Sequence, residues 1–161
     1  MSVQRDDVRE HLSRVLAEEG RLLGELETIL QQETQILRSD DAEAIARIGD
    51  RRHRYVDSLS KLESERGATC RMLSFGTGQS ALDQLLEWAD PKGSLKDRWS
   101  RNLELARRCK AINDGNGAIV SAQLGRVQRM LGKLRGASAP PVYSARGSRY
   151  GQLGHRDLGR A

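Results

Sequence analysis

Residues 8–37 read VREHLSRVLAEEGRLLGELETILQQETQIL, and the spacing inside this stretch decides the fold. Val8, Leu12, Val15, Leu22, Leu26, Ile29 and Ile36 recur at steps of three or four once Glu19 and Glu33 fill the two gaps. That is the period of one face of an α-helix. Leu16, Leu23, Leu30 and Leu37 add a second row, seven residues apart. Two adjacent rows make a stripe broad enough for two neighbouring helices, wider than the seam of a two-stranded coiled coil. Ser2 stands where an N-cap is expected.

The first helix should stop near Ser39. Asp40, with Glu43 three residues on, reads as the N-cap and capping box of a second helix. Its face runs Ile45, Ile48, Arg52, Tyr55, Leu59, Leu62, Arg66, Thr69, Leu73. Two arginines interrupt it, so this helix is either partly solvated or holds an acidic partner across the seam. The short connection makes the first two helices antiparallel neighbours. Gly76-Thr77-Gly78 breaks the pattern. A short amphipathic helix follows from Ser80 to Ala89, carrying Leu82, Leu85, Leu86 and Trp88, and Asp90-Pro91-Lys92-Gly93 ends it. Ser94 with Asp97 forms another capping-box pattern. The last helix then runs from Leu95 to about Leu134, roughly 60 Å at the α-helical rise. Its face reads Leu95, Trp99, Leu103, Ala106, Asn113, Gly117, Val120, Leu124, Val127, Leu131, Leu134.

Asn113-Asp114-Gly115-Asn116-Gly117 sits in the middle of that helix. Each Gly costs about 1 kcal/mol of helix propensity relative to Ala, so a hairpin here is the alternative. The stripe keeps its phase across the block, which favours a continuous helix. Small Gly117 would then admit a close neighbour, and inward Asn113 and Asn116 would need hydrogen-bond partners. The expected fold is all-α: an elongated antiparallel bundle of three long helices plus one short helix. It occupies residues 1–136, and residues 137–161 form a flexible Pro/Gly/Arg-rich tail.

Composition agrees with a thin rod. Of 161 residues, 37% are apolar and only 4% aromatic, so any core is aliphatic. The net charge is +5, and residues 137–161 supply +3 of it through Arg146, Arg149, Arg156 and Arg160 against Asp157. The body is near neutral, which weakens a nucleic-acid-binding fold but leaves a tail that can touch an acidic surface. Cys70 and Cys109 lie far apart and read as buried, reduced thiols of a cytoplasmic protein. No apolar signal opens the chain and no run is long enough to span a membrane. His11, His53 and His155 have no second ligand at metal spacing. No phosphate loop, nucleophile elbow or paired carboxylate is present, so neither an enzyme nor a cofactor is expected. The tail repeats Tyr-x-x-x-Gly twice, Tyr143 to Gly147 and Tyr150 to Gly154.

Asp41-x-x-Ala44-Ile45 opening the second helix, then Tyr55, Leu59, Leu62 and Arg66, Trp99, Asn113-x-x-Asn116-Gly117, Leu131 to Leu134, and Tyr143-x-x-x-Gly147 appear in an order that resembles the FlgN family. The resemblance covers residues from about 5 to 154. It implies a cytoplasmic export chaperone. Such a protein binds the C-terminal segments of hook-associated junction proteins (FlgK- and FlgL-type), keeps them monomeric and docks on the cytoplasmic domain of the flagellar export gate. The docking tyrosine would be Tyr143, with Gly147 in its motif; Tyr150 competes because the pattern is duplicated.

For cargo, Ile119, Val127, Met130, Leu131 and Leu134 at the end of the last helix are the candidates, flanked by Arg126, Arg129, Lys133 and Arg135. Ordinary core packing is the preferred reading of Val120, Leu124 and Val127. For Met130, Leu131 and Leu134 core packing and cargo binding stand level. Two other functions stay open: RNA binding through the Arg/Gly tail, and a coiled-coil scaffold. RNA binding should weaken steeply with salt, whereas capture of an apolar helix should not. The broad stripes fit a monomer and a homodimer alike.

Overall fold

The computed structural model describes residues 4–135. Four helices follow one another: α1 Arg5–Leu37, α2 Ala42–Met72, α3 Gln79–Ala89 and α4 Ser94–Arg135. No strand occurs among the described residues. α4 is unbroken through Asn113–Gly117, so the hairpin alternative falls away. Ser2 lies outside the described residues, and Gln4 takes the N-cap position of α1 without a side-chain bond. Asp41, not Asp40, caps α2, accepting from the Ala44 N–H at 3.0 Å. That places Ala44 at the third helical position, so Glu43 cannot complete a capping box. At the start of α4 the carboxylate of Asp90 accepts the Leu95 N–H at 3.0 Å. Ser94 is itself the first helical residue and leaves the capping to Asp90. α2 ends in a Schellman turn: Phe75 N–H reaches Cys70 O at 2.9 Å and Ser74 N–H reaches Arg71 O at 3.0 Å. Ser74 occupies the left-handed position with φ 62°, a place usually given to glycine.

Both α2 and α4 pack on α1. α2 is antiparallel to it and α4, one reversal later, is parallel. On the α2 side the seam is polar, apolar, polar. Glu19 pairs with Arg66 at 2.9 Å and Glu33 with Arg52 at 3.4 Å, all four side chains buried. Leu26 and Leu59 belong to the apolar cluster between them. As α1 advances by seven from Glu19 to Leu26 to Glu33, α2 retreats by seven from Arg66 to Leu59 to Arg52. The two arginines in the α2 stripe therefore hold acidic partners and are not solvated. Arg66 also reaches α4, its guanidinium lying 4.4 Å from the centre of the Trp99 ring.

The α1–α4 seam carries a ladder. Asn102 donates to Leu16 O at 2.9 Å, Cys109 to Leu23 O at 3.4 Å, Asn116 to Leu30 O at 3.0 Å and Gln123 to Leu37 O at 2.6 Å. Donor and acceptor both advance seven residues per rung, keeping a constant offset of 86. A straight α-helix drifts about 20° per heptad, so constant contact requires the two helices to wrap around each other. The Leu16, Leu23 and Leu30 carbonyls each accept a rung in addition to their intrahelical bond, because a carbonyl oxygen has two lone pairs, whereas Leu37 at the end of α1 has no intrahelical partner and takes the rung from Gln123. A rung contributes about 1 kcal/mol net. The larger effect is on register, because a slip by one residue would bury every donor without an acceptor.

Apolar packing falls into two clusters. At the closed end Val8, Leu12 and Leu16 meet Leu82, Leu85 and Leu86 of α3, with Trp99 of α4 behind them. In the middle Leu22, Leu23, Leu26 and Leu30 pack on Leu59, Ala106 and Cys109. Leu37 is buried at the end of α1, whereas Ile36, placed on the face by its spacing, is only half-buried. Both cysteines are free and buried, and burial pushes the Cys109 thiol up to about 11.

Candidate functional site

The ladder stops at Gln123 because α1 stops at Leu37. α4 continues to Arg135, twelve residues past the last rung. At the α-helical rise that is about 18 Å of helix with no α1 beside it. The rows that face inward lower down keep their direction, so their side chains emerge from cover one by one. Along one row Trp99 is 5% exposed, Ala106 is buried, Asn113 and Val120 are half-buried, Val127 is 49% exposed and Leu134 81%. Along the ladder row Asn102, Cys109 and Asn116 are buried, Gln123 is half-buried and Met130 is 62% exposed. A third row places Leu124, exposed by 47%, beside half-buried Leu131.

Core packing, the preferred reading of Val120, Leu124 and Val127, therefore fails for Leu124 and Val127. Ile119 and Leu131 are half-buried, while Val127, Met130 and Leu134 stand open. Past Gln123, α4 makes no cross-helix hydrogen bond or ion pair among the described residues. The site is a bare helix face, not a trough with walls. Its charge is one-signed: every charged residue in 115–135 is basic, namely Arg126, Arg129, Lys133 and Arg135.

Just below the bare face a polar cluster ties three helices together. Asn116, 1% exposed, donates to Leu30 O and to Glu33 at 3.3 Å, and accepts from the Thr34 hydroxyl at 2.6 Å. Arg52, paired with Glu33, donates to Asn113 at 3.4 Å. The Asn residues of the odd block thus face inward and are satisfied, which explains a continuous helix in spite of its low propensity. Gly117 does not fit the close-approach expectation, because a Cβ built there meets nothing within 4 Å. The close approach occurs instead at Gly20, where a Cβ would lie 2.7 Å from Asn102 Oδ1. The spacing of Asn102, Cys109, Asn116 and Gln123 by sevens, matching the leucine row of α1, was the signal that could have revealed the ladder. Tyr143, Gly147 and Tyr150 lie outside the described residues.

Among the described residues no helix is long and apolar enough to cross a membrane, and no His, Cys, Asp and Glu cluster could hold a metal ion. Fold and site together define an elongated all-α protein whose last helix carries its own packing face past the end of its partner. The chain belongs to the FlgN family: the family model, described as FlgN protein, matches residues 1–151. Membership implies the general role of a flagellar export chaperone, a binder of flagellar proteins. No curated protein and no solved structure matches the chain with significance.

Proposed function

We propose that this chain is a cytoplasmic chaperone for the C-terminal helical segments of hook-associated junction proteins (FlgK- and FlgL-type). It keeps them from premature self-association and delivers them to the cytoplasmic domain of the flagellar type III export gate. It acts by binding alone, with no catalytic step and no cofactor. The observation that carries the reading is the uncovered face of Val127, Met130 and Leu134 on a helix otherwise packed along its length. An exposed apolar patch of this kind marks an interaction site, and an amphipathic helix laid on it is the simplest partner.

The energetics set a condition. Leu124, Val127, Met130 and Leu134 together expose the equivalent of rather more than two whole apolar side chains. Burying that much contributes about 5 kcal/mol. A micromolar complex needs about 8 kcal/mol after the cost of association. Further contacts must supply the difference, and Arg126 and Lys133 are placed to give them to acidic residues of the client. The same cations work against a second copy of this chain on the face, because its own end of α4 is equally basic.

Tyr143, with Gly147, and the competing Tyr150 are proposed to dock on the export gate. A tyrosine suits this because it buries much area at low entropy cost. Tyr143→Ala should leave junction-protein affinity unchanged and reduce its export from cells. Equal loss of cargo binding would remove the docking role. Deletion of residues 137–161 should spare cargo capture at least in part. Loss of nucleic-acid binding with that deletion, together with steep salt dependence, would favour the RNA reading instead.

A further inference from the structure

We propose that the client helix takes the place α1 would hold if α1 ran on past Leu37, so that the complex completes the α1–α4 seam. This rests on the chaperone reading above and adds a position, an occupant and a chemistry to it. The occupant is an amphipathic helix of about three turns, the length that faces residues 124–134 at the α-helical rise. Its apolar stripe meets Val127, Met130 and Leu134, and its acidic edge lies along Arg126 and Lys133.

Continuity of an existing interface is the first argument. The ladder row Asn102–Cys109–Asn116–Gln123 is covered by α1 up to its last turn, and the neighbouring row of Trp99 and Asn113 is met by Arg66 and Arg52 of α2. The same rows carry Val127, Leu134 and Met130 immediately beyond the end of α1. A face already shaped for a helix in one register offers the next helix the same line. The second argument is charge. Arg126 and Lys133 lie seven apart on the row bordering Met130, and no acid stands among residues 115–135 to neutralise them.

The rung chemistry changes at the point of handover. Met130 stands where a fifth ladder donor would be, and a thioether cannot donate a hydrogen bond. A client helix therefore needs no carbonyl in fixed register there. Methionine adapts to irregular surfaces, which suits a site that accepts more than one client sequence. At its lower end a helix on this line abuts the exposed turn Arg38–Asp41, which joins α1 to α2.

The test uses the full chain and a purified FlgK-type junction protein. A photocrosslinking residue is placed at Met130, at Ser39 in the turn, or at Gly132, where an added side chain meets open space on the far side of α4. Crosslinks should form from Met130 and Ser39 and not from Gly132. Binding should also slow amide exchange in residues 124–134 and in the 38–41 turn of the unsubstituted chain. If the client binds but crosslinks from Gly132, or leaves the 38–41 turn unprotected, the position is wrong while the chaperone reading stands. If the junction protein does not bind at all, both fall. A dimer that Met130→Asp converts to monomer would put a second copy on the face and overturn the proposal.

Discussion

Glu19 and Arg66 form one ion pair, yet replacing them should have unequal consequences. Burial raises the Glu19 pKa from its ordinary value more than the attraction and hydrogen bond of Arg66 lower it. Between the unfolded and folded values the native chain then holds more protons than the unfolded one. Stability attributable to Glu19 therefore falls as pH rises from about 4.5 through the raised folded value. At neutral pH the ionised carboxylate is carried at a net cost relative to its neutral form. Glu19→Gln keeps the shape and an acceptor for Arg66 and removes that cost, so its melting temperature at pH 7 should equal or exceed the parent's. The two should converge as pH falls toward 4.5 and Glu19 takes up its proton. Arg66→Met instead strands a buried carboxylate and removes the cation 4.4 Å over Trp99. Breaking a buried pair from that side costs about 3–5 kcal/mol, or roughly 10 °C for a domain of this size. The double variant should recover most of the loss. Thermal unfolding of the four proteins by circular dichroism from pH 4 to 8 decides the matter. A Glu19→Gln loss at pH 7 as large as that of Arg66→Met would show that attraction outweighs burial and refute the reasoning.

Four further outcomes follow from the structure. Gly20→Ala should destabilise by about 1–3 kcal/mol, because its Cβ must displace Asn102 from the first rung, whereas Gly117→Ala should stabilise by up to about 1 kcal/mol through helix propensity; urea midpoints test both. Ser74→Gly relieves a left-handed serine and should raise stability by about 0.5–1 kcal/mol, measured the same way. Cys109, with its thiol pushed up to about 11, is thiolate only to about one part in ten thousand at pH 7. Mass spectrometry should show it resisting alkylation in the native chain and reacting fully once the chain is unfolded.

The leucine rows of α1 were legible because aliphatic residues carry the helical period directly. Arg52 and Arg66 were legible as interruptions, and the gaps at Glu19 and Glu33 supplied their partners, although spacing alone did not join them. The ladder was hidden because its donors are Asn, Cys, Asn and Gln, side chains that a search for leucine-like periodicity passes over. Only the match of their heptad spacing to that of the leucine row gives them meaning. Asp40 and Asp41 are equivalent as capping residues in sequence, and the choice between them depends on which oxygen reaches the Ala44 N–H. Leu124 and Val127 show a more general limit. Periodicity states which way a side chain points but not where the neighbouring helix ends. That end follows from the constant 86-residue offset between α1 and α4, a property of the assembled pair.

Leu134 is 81% exposed on the bare end of α4, so an aspartate there should leave the bundle intact. Titration calorimetry of the full chain with a FlgK-type junction protein, run with Leu134→Asp alongside the parent, tests the central claim most directly. The account requires affinity to fall at least about tenfold, the loss of roughly 1.4 kcal/mol or more, with unchanged helicity and melting temperature. Equal affinity for both proteins would mean that the uncovered face of α4 does not hold the client.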